Sequence, residues 1–340
     1  MTSIAVLFFM LLAYKTTYKR VDISSEIELV KKTLSPNQSI VLLKSKNPFS
    51  FNDLLFRFDA VTNQQVYGVL TMPPNLVDSI SNDSLPAIIG VAGSKGWGEH
   101  HYGYMDRYQE AGFATLTLHS FKSRNVTSTV GEQASATTAM LVYDAYKALE
   151  KLANHPRIDR DNIGITGWSL GGGVALFTAW RPLKDELSPN YTFAAHLPIY
   201  PPCMVKPETL SFTDAPIHIL IGEDDNWVPA EACIELVEAA NLENLDITTY
   251  PNAHHSFDRN HELINDKEAY SFVDIRLKLT DDGVARTLDL GFPLSNSILQ
   301  KLVLAFYTKR GVTYGEEPKA RKYSSEFALE FMNKHLKAED

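Results

Sequence analysis

The chain has 340 residues, 44% hydrophobic and 21% charged, a balance that suits a globular protein with a large buried core. A formal net charge of -9 argues against nucleic-acid binding, because a phosphate backbone calls for a basic surface. No internal repeat, low-complexity tract or P-loop is present.

The amino terminus carries an apolar run at residues 4–13, followed by Tyr14 and Lys15. Such a run falls short of the roughly twenty residues that span a bilayer, but it suits the core of a secretion signal. The usual Lys or Arg before such a core is missing, and no clear small-x-small cleavage site follows. Residues 1–20 are expected to be a signal peptide or an uncleaved export anchor; the alternative is a hydrophobic first element of the fold. Export to a periplasm or the exterior is therefore the expected localisation, with a cytoplasmic location as the alternative. Asn37, Asn82, Asn125 and Asn190 begin N-x-S/T triplets, which carry meaning only in a eukaryotic secretory context.

From about Val66 onward, strand and helix candidates alternate. Strands are expected at 66–71, 87–92, 113–118, 163–166, 192–199, 217–221 and 247–250, separated mostly by helix-length stretches. The longest helix is expected at 135–155, where Met140, Val142, Tyr143, Ala145, Leu149 and Leu152 recur at near-helical spacing. Such alternation predicts an α/β fold with a mostly parallel central sheet covered by helices on both faces. Residues before Val66, 54–58 among them, are expected to supply antiparallel edge strands.

The strand at 163–166 runs into Gly167-Trp168-Ser169-Leu170-Gly171, and a helix-like stretch follows. This is the G-x-S-x-G pattern of a nucleophile elbow, in which a sharp strand-to-helix turn projects the serine hydroxyl. The helix amino terminus then lies beneath developing negative charge. The pattern alone is common in loops; its strand-and-helix context makes Ser169 a candidate nucleophile.

A serine hydroxyl needs a base and an acid that orients the base. The strand at 217–221 ends in Gly222-Glu223-Asp224-Asp225-Asn226-Trp227-Val228-Pro229, and the strand at 247–250 ends in Pro251-Asn252-Ala253-His254-His255-Ser256-Phe257. The order Ser, acid, His is that of α/β-hydrolases. Three adjacent acids and two adjacent histidines leave both assignments open. By themselves, such an acidic triplet is usually a solvated turn and such a His pair a surface or metal-binding feature.

These motifs together resemble the dienelactone hydrolase family of α/β-hydrolases, over roughly residue 86 to the carboxyl terminus. The resemblance implies an α/β-hydrolase fold and selects Asp225 as the acid and His255 as the base, with Asp224 and His254 as neighbours. It also implies that Arg124, in His119-Ser120-Phe121-Lys122-Ser123-Arg124, holds an acidic group of the substrate. Two positions depart from the dienelactone-cleaving members. Ser169 stands where those carry cysteine, and Gly93 where they carry a glutamate, so ordinary carboxylic-ester hydrolysis is expected rather than dienelactone cleavage.

The oxyanion hole is expected from the Leu170 amide and, by the family resemblance, the Ser94 amide in the glycine-rich loop Gly93-Ser94-Lys95-Gly96-Trp97-Gly98. A nucleotide-binding turn is the alternative for that loop, but the G-x-G-x-x-G order is absent. Trp97 and Trp168 are expected to contact substrate, and Tyr102 and Tyr104 to line the pocket, although aromatics near an elbow are often simply core. His100-His101 and His254-His255 are adjacent pairs without converging partners, so no metal is expected.

Nearly fifty residues, 258–307, separate His255 from the segment that resembles the family's end. They are expected to form either a cap or pocket wall within a single domain at 21–340, or a surface excursion. Cys203 and Cys233 resemble a pattern of bacterial relatives and are expected either to pair, bracing the Asp225 loop in an oxidising compartment, or to be two buried thiols. The expected activity is cleavage of a small-molecule carboxylic ester through an acyl-enzyme, with no cofactor. No nucleic-acid or stable protein partner is expected, and a homodimer is left open. Rival readings are a peptidase or acyltransferase on the same residues, or a non-catalytic binding protein on the same fold.

Overall fold

The computed structural model describes residues 10–74 and 84–337. Most of the apolar run at 4–13 and the Asn82 triplet lie outside the described residues. No described helix is long and apolar enough to cross a membrane.

Eight strands form one sheet: β1 Gln38–Lys46, β2 Asn63–Thr71, β3 Leu85–Val91, β4 Ala114–Leu118, β5 Ile158–Trp168, β6 Ala195–Ile199, β8 Ile217–Gly222 and β9 Leu245–Tyr250. Their spatial order is β1-β2-β4-β3-β5-β6-β8-β9. The pairs β1–β2 and β2–β4 are antiparallel, and every pair from β4 to β9 is parallel. The inner parallel strands are buried on both faces because helices cover both. In β4 every residue is buried, and in β5 so are Ile163–Trp168.

The helix Thr138–Ala153 packs one of those faces and buries twelve of its sixteen residues. Thr137 caps it, its hydroxyl accepting from the Met140 amide. The closing helix Pro318–Leu336 covers the other part of the sheet, where Met332 and Leu336 side chains fill the space over Gly164.

One expectation for the amino-terminal part needs correction. Residues 54–58 form no strand: Phe51–Phe56 is a helix, started by the Asp53 carboxylate, which accepts from the Phe49 and Ser50 amides. The antiparallel edge is instead β1, where Val41, Leu43 and Ser45 point inward and Leu42 and Lys44 outward, the alternation of a half-buried strand.

Residues 258–307 fold against the sheet's carboxyl edge. β10 Ile264–Ser271 pairs antiparallel with β13 Lys309–Tyr314. A three-stranded sheet joins β12 Ala285–Thr287 and β11 Leu277–Leu279 to β7 Val205–Pro207, which follows β6 in the main domain. The helix Ser297–Tyr307, capped by the Asn296 side chain, completes the segment.

Candidate active site

Three strand ends converge here, as expected in open α/β sheets, where ligands bind beyond the carboxyl ends of parallel strands. At the end of β5, Ser169 takes φ 54° and ψ -116°, a strained conformation for a residue with a side chain, and caps the helix Leu170–Phe177. Its amide is fixed by the Ile199 carbonyl at 2.9 Å. The flanking glycines are there for lack of room. A Cβ on Gly167 would stand 2.1 Å from the Gly171 oxygen, and one on Gly171 only 2.0 Å from the Val91 oxygen.

The acid loop after β8 and the histidine loop after β9 are pressed together at Gly222, where a Cβ would meet the Ala253 oxygen at 2.1 Å. In that arrangement His255 Nδ1 lies 2.7 Å from Asp225 Oδ2, and His255 Nε2 lies 2.9 Å from Ser169 Oγ. The Trp227 and Val228 amides donate to Asp225 Oδ1, both at 2.9 Å, so the carboxylate orientation is fixed from both oxygens. Asp225 and His255 are buried. Of the neighbours that adjacency left open, Asp224 and Glu223 are exposed. His254 Nδ1 is 2.8 Å from the Asp224 backbone carbonyl oxygen, and the Glu223 carboxylate accepts from the Thr249 hydroxyl.

The loop after β3 lies against the elbow: a Cβ on Gly93 would come within 3.3 Å of the Ser169 Cβ. A tight turn, in which the Gly96 amide donates to the Gly93 carbonyl at 2.9 Å, holds Ser94 beside the serine. Ser94, Ser169 and Leu170 line a common cavity. Among the described residues, the Ser94 and Leu170 amides donate to no protein acceptor.

That cavity, about 200 Å³, extends from Ser169 between the core and the segment 258–307. Phe49, Phe51, Phe177 and Met204 form its inner wall; Phe272, Leu277, Leu279, Ala285, Leu294 and Leu304 of the inserted segment form the outer one. The segment is tied to the acid loop, since the Phe272 amide donates to the Trp227 carbonyl at 2.9 Å and the Ser271 hydroxyl to the Asn226 carbonyl at 2.7 Å. A smaller cavity also reaches Ser169, sharing Ser94 and Trp227 with the larger one, and is lined by His255, Ser256, Lys95, Arg259, Tyr200 and Trp168 among others.

Four sequence expectations are corrected, those for Arg124, Trp97, Tyr102 and Tyr104. Arg124 is buried beneath the loop after β4 and absent from both cavities. All five of its N–H donors are engaged: Nε with Asn47 Oδ1, Nη1 with Asp144 Oδ2 and the Ser120 carbonyl, Nη2 with Asp144 Oδ1 and the Lys46 carbonyl. No donor remains for a substrate. Trp97 donates its indole N–H to the Leu118 carbonyl and lines a separate cavity with Tyr102 and His119, behind the glycine-rich loop. Tyr104 is core, its hydroxyl 2.8 Å from Ser324 Oγ. Trp168 does line the smaller cavity, but its side chain is fully buried against His101, Tyr104 and Trp97.

Sequence reasoning passed over Tyr200 and Asp258. Tyr200, directly after β6, has φ 39° and sets its ring edge-on to His255, centroids 4.7 Å apart. Its hydroxyl donates to Asp258 Oδ1 at 2.9 Å. Burial pushes the Asp258 carboxyl up to about 6, against the opposing pull of the Tyr200 hydrogen bond and Arg259. With Ser256 at φ 54°, three strained residues, Ser169, Tyr200 and Ser256, surround the His255 ring. For Tyr200 the available signal was its place directly after β6, while Asp258 lies eight residues past β9 and carried none. His101 is held well below the ordinary histidine range by burial, and His100 down to about 3 by burial and then Arg259, so both rings are neutral at pH 7.

The model of the dienelactone hydrolase family matches residues 80–273, more than half of the chain. The chain belongs to the dienelactone hydrolase family. Among solved structures, a dienelactone hydrolase-like promiscuous phosphotriesterase from metagenomic libraries aligns with TM-score 0.52 at 14% identity, over 88% of this chain and 99% of that one, a likeness of fold. A putative dienelactone hydrolase from Klebsiella pneumoniae aligns with TM-score 0.45 at 20% identity, over 65% and 89%. Esterase 2 of Thermogutta terrifontis aligns with TM-score 0.45 at 19% identity, over 56% and 80%. No curated protein sequence matches the chain. Membership in the dienelactone hydrolase family makes this an α/β-hydrolase fold of a hydrolase family.

Cys203 and Cys233 are joined in a disulfide, with Cα atoms 4.9 Å apart. The bridge ties the segment after β6, which contributes Pro202 and Met204 to the cavity, to the helix Ala230–Ala240 that follows the acid loop.

Proposed function

We propose that this chain is a serine hydrolase that cleaves carboxylic esters through an acyl-enzyme, with Ser169 as nucleophile, His255 as base and Asp225 as the acid that orients the base. The observation that carries the reading is the continuous hydrogen-bonded chain from Asp225 through His255 to Ser169 Oγ, opening on an apolar cavity.

In the first step Ser169 Oγ bonds to the ester carbonyl carbon while His255 Nε2 takes its proton. The Ser94 and Leu170 amides face the oxyanion that forms, at the amino terminus of the helix Leu170–Phe177. Collapse breaks the C–O bond to the alcohol, which leaves with the proton from His255. Water then attacks the acyl-enzyme by the same route, its proton passing through His255 to Ser169, and the acid departs. These steps draw on protein groups and water alone.

The segment 258–307 acts as a wall of the acyl pocket in this reading, supported by the side chains it contributes to the cavity beside Ser169. Export is the proposed localisation, supported by the disulfide, since such bonds persist in oxidising compartments.

The test is hydrolysis of a p-nitrophenyl ester panel by the purified protein alongside Ser169→Ala. Activity abolished by the substitution is the expected result; equal rates for the two proteins would overturn the assignment of Ser169.

A further inference from the structure

The two cavities beside Ser169 differ in chemistry, and the mechanism decides which group enters which. The departing alcohol must receive its proton from His255 Nε2, so it lies on the side of the serine that His255 occupies. His255 lines the smaller cavity, with Lys95 and Arg259, and is absent from the lining of the larger one. The acyl portion therefore extends the other way, past Leu170 and Ser94 into the larger cavity.

Among the described residues, no Asp, Glu, Lys, Arg or His lines that larger cavity. Its polar side chains include Thr137 and Gln300, which are engaged within the protein. The Thr137 hydroxyl donates to the Pro48 carbonyl at 2.9 Å, and the Gln300 amide donates to the Gln133 carbonyl at 2.7 Å. Arg124, the residue that could have met an acidic acyl group, is fully engaged elsewhere with Asp144. A carboxylate on the acyl chain would be desolvated here with only neutral side chains such as Ser50, Gln133 and Thr138 beside it and no opposite charge to offset the cost. As for size, a dry apolar cavity of about 150 Å³ takes a benzene ring. The present one, at about 200 Å³, is larger and open to the nucleophile at one end.

Resting on the ester-hydrolase reading above, we propose that the substrate is an ester of a neutral, apolar acid with a medium-length aliphatic chain or an aryl-alkyl group, seated between the core and the segment 258–307. Ala285 and Leu294, on the outer wall, set the length accepted. Each methylene buried there is worth about fourfold in affinity, so a few of them exceed tenfold.

The test has a kinetic arm and a binding arm. In the first, kcat/KM is measured for p-nitrophenyl acetate, butyrate, octanoate and hemisuccinate, the last matching butyrate in length but carrying a carboxylate. The octanoate-to-acetate ratio is expected to be at least ten, and the hemisuccinate value at least tenfold below that of butyrate. Ala285→Trp should lower the octanoate-to-acetate ratio tenfold or more, and Leu294→Ala should move the preferred length upward. In the second arm, Ser169→Ala is titrated with 2-decanone, a neutral ketone of similar length, while the fluorescence of Trp227, which lines the cavity, is followed. Saturable binding, weakened at least tenfold by adding Ala285→Trp, is expected.

Turnover without chain-length discrimination, joined to absence of ketone binding, would overturn the ligand assignment and leave the hydrolase reading standing. Preference for the hemisuccinate would overturn it as well. Ketone binding by a protein that hydrolyses none of the esters would support the ligand class and overturn the hydrolase reading instead. Circular dichroism of each variant separates loss of fold from loss of preference.

Discussion

Arg124 grips Asp144 through two parallel charge-assisted hydrogen bonds, Nη1 to Oδ2 at 2.7 Å and Nη2 to Oδ1 at 3.0 Å, with both side chains almost wholly buried. The pair joins the loop after β4 to the helix Thr138–Ala153, and through Asn47 and the Lys46 carbonyl to the end of β1. Breaking such a pair from one side strands a buried charge, at a cost of about 3–5 kcal/mol. Arg124→Leu and Asp144→Asn should each lower unfolding free energy in urea by that order, while the folded variants keep their KM for a neutral ester. A rise in KM without loss of stability would return Arg124 to a substrate-binding role.

Gly171 has no tolerance for a side chain, because the Val91 oxygen would lie 2.0 Å and the Ala92 oxygen 2.7 Å from its Cβ. Accommodating Gly171→Ala requires the end of β3 to retreat, carrying with it the loop that holds Ser94. Stability should fall by about 2–3 kcal/mol, the scale of overpacking, and kcat should fall further than KM rises. Wild-type kinetics in this variant would contradict the close approach of β3 and the elbow.

Asp258 gives the protein a pH signature. Its carboxyl is raised in the folded state from an ordinary 3.8 to about 6, chiefly by burial, so between those values the native chain binds more protons than the unfolded one. The sign follows: this group favours folding below pH 4, and the advantage is lost as pH rises through about 6. The difference is on the order of 3 kcal/mol. Asp258→Asn, which keeps an acceptor for the Tyr200 hydroxyl, should therefore stabilise the protein at pH 7 and flatten its stability profile between pH 4 and 6. Chemical denaturation across that range reads the change; an unaltered slope would show that Asp258 titrates normally.

The bridge between Cys203 and Cys233 closes a loop with sequence separation 30. Loop-closure entropy on that scale is worth roughly 3–4 kcal/mol. The double Cys203→Ser, Cys233→Ser variant should unfold at correspondingly lower denaturant concentration, and the wild type should match it once reduced.

Much of this fold was legible because burial leaves a plain imprint on sequence. The inner parallel strands β3, β5, β6 and β8 are largely buried on both faces where they pair, so continuous runs such as Ala87–Ala92 marked them, and the Gly-x-Ser-x-Gly run carried its steric reason in its own glycines. The choice among Glu223, Asp224 and Asp225 was not legible from composition, since all three are adjacent acids. In space the three differ, because the Trp227 and Val228 amides turn back onto Asp225 and its other oxygen lies 2.7 Å from His255 Nδ1, which supports the proposed choice. Residues 54–58 misled because a short helix with its apolar face inward reads like a strand over five positions, and the helix signal lay upstream in Ser50 and Asp53. Arg124 misled for a different reason. The family resemblance set the arginine of the loop after β4 against an acidic substrate group, but here its five donors are taken up within the protein, and the partner, Asp144, is twenty residues away within a helix. The inserted segment showed length but not position, because short strands such as Leu277–Leu279 acquire meaning only by pairing with β7.

The most direct test of the account is covalent labelling of the nucleophile. The intact protein is incubated with an alkyl fluorophosphonate, digested, and mapped by mass spectrometry, with His255→Ala in parallel. A single adduct on Ser169, formed far more slowly in the variant, is the predicted result. An unlabelled protein, or an adduct on another residue while Ser169 stays free, would contradict it.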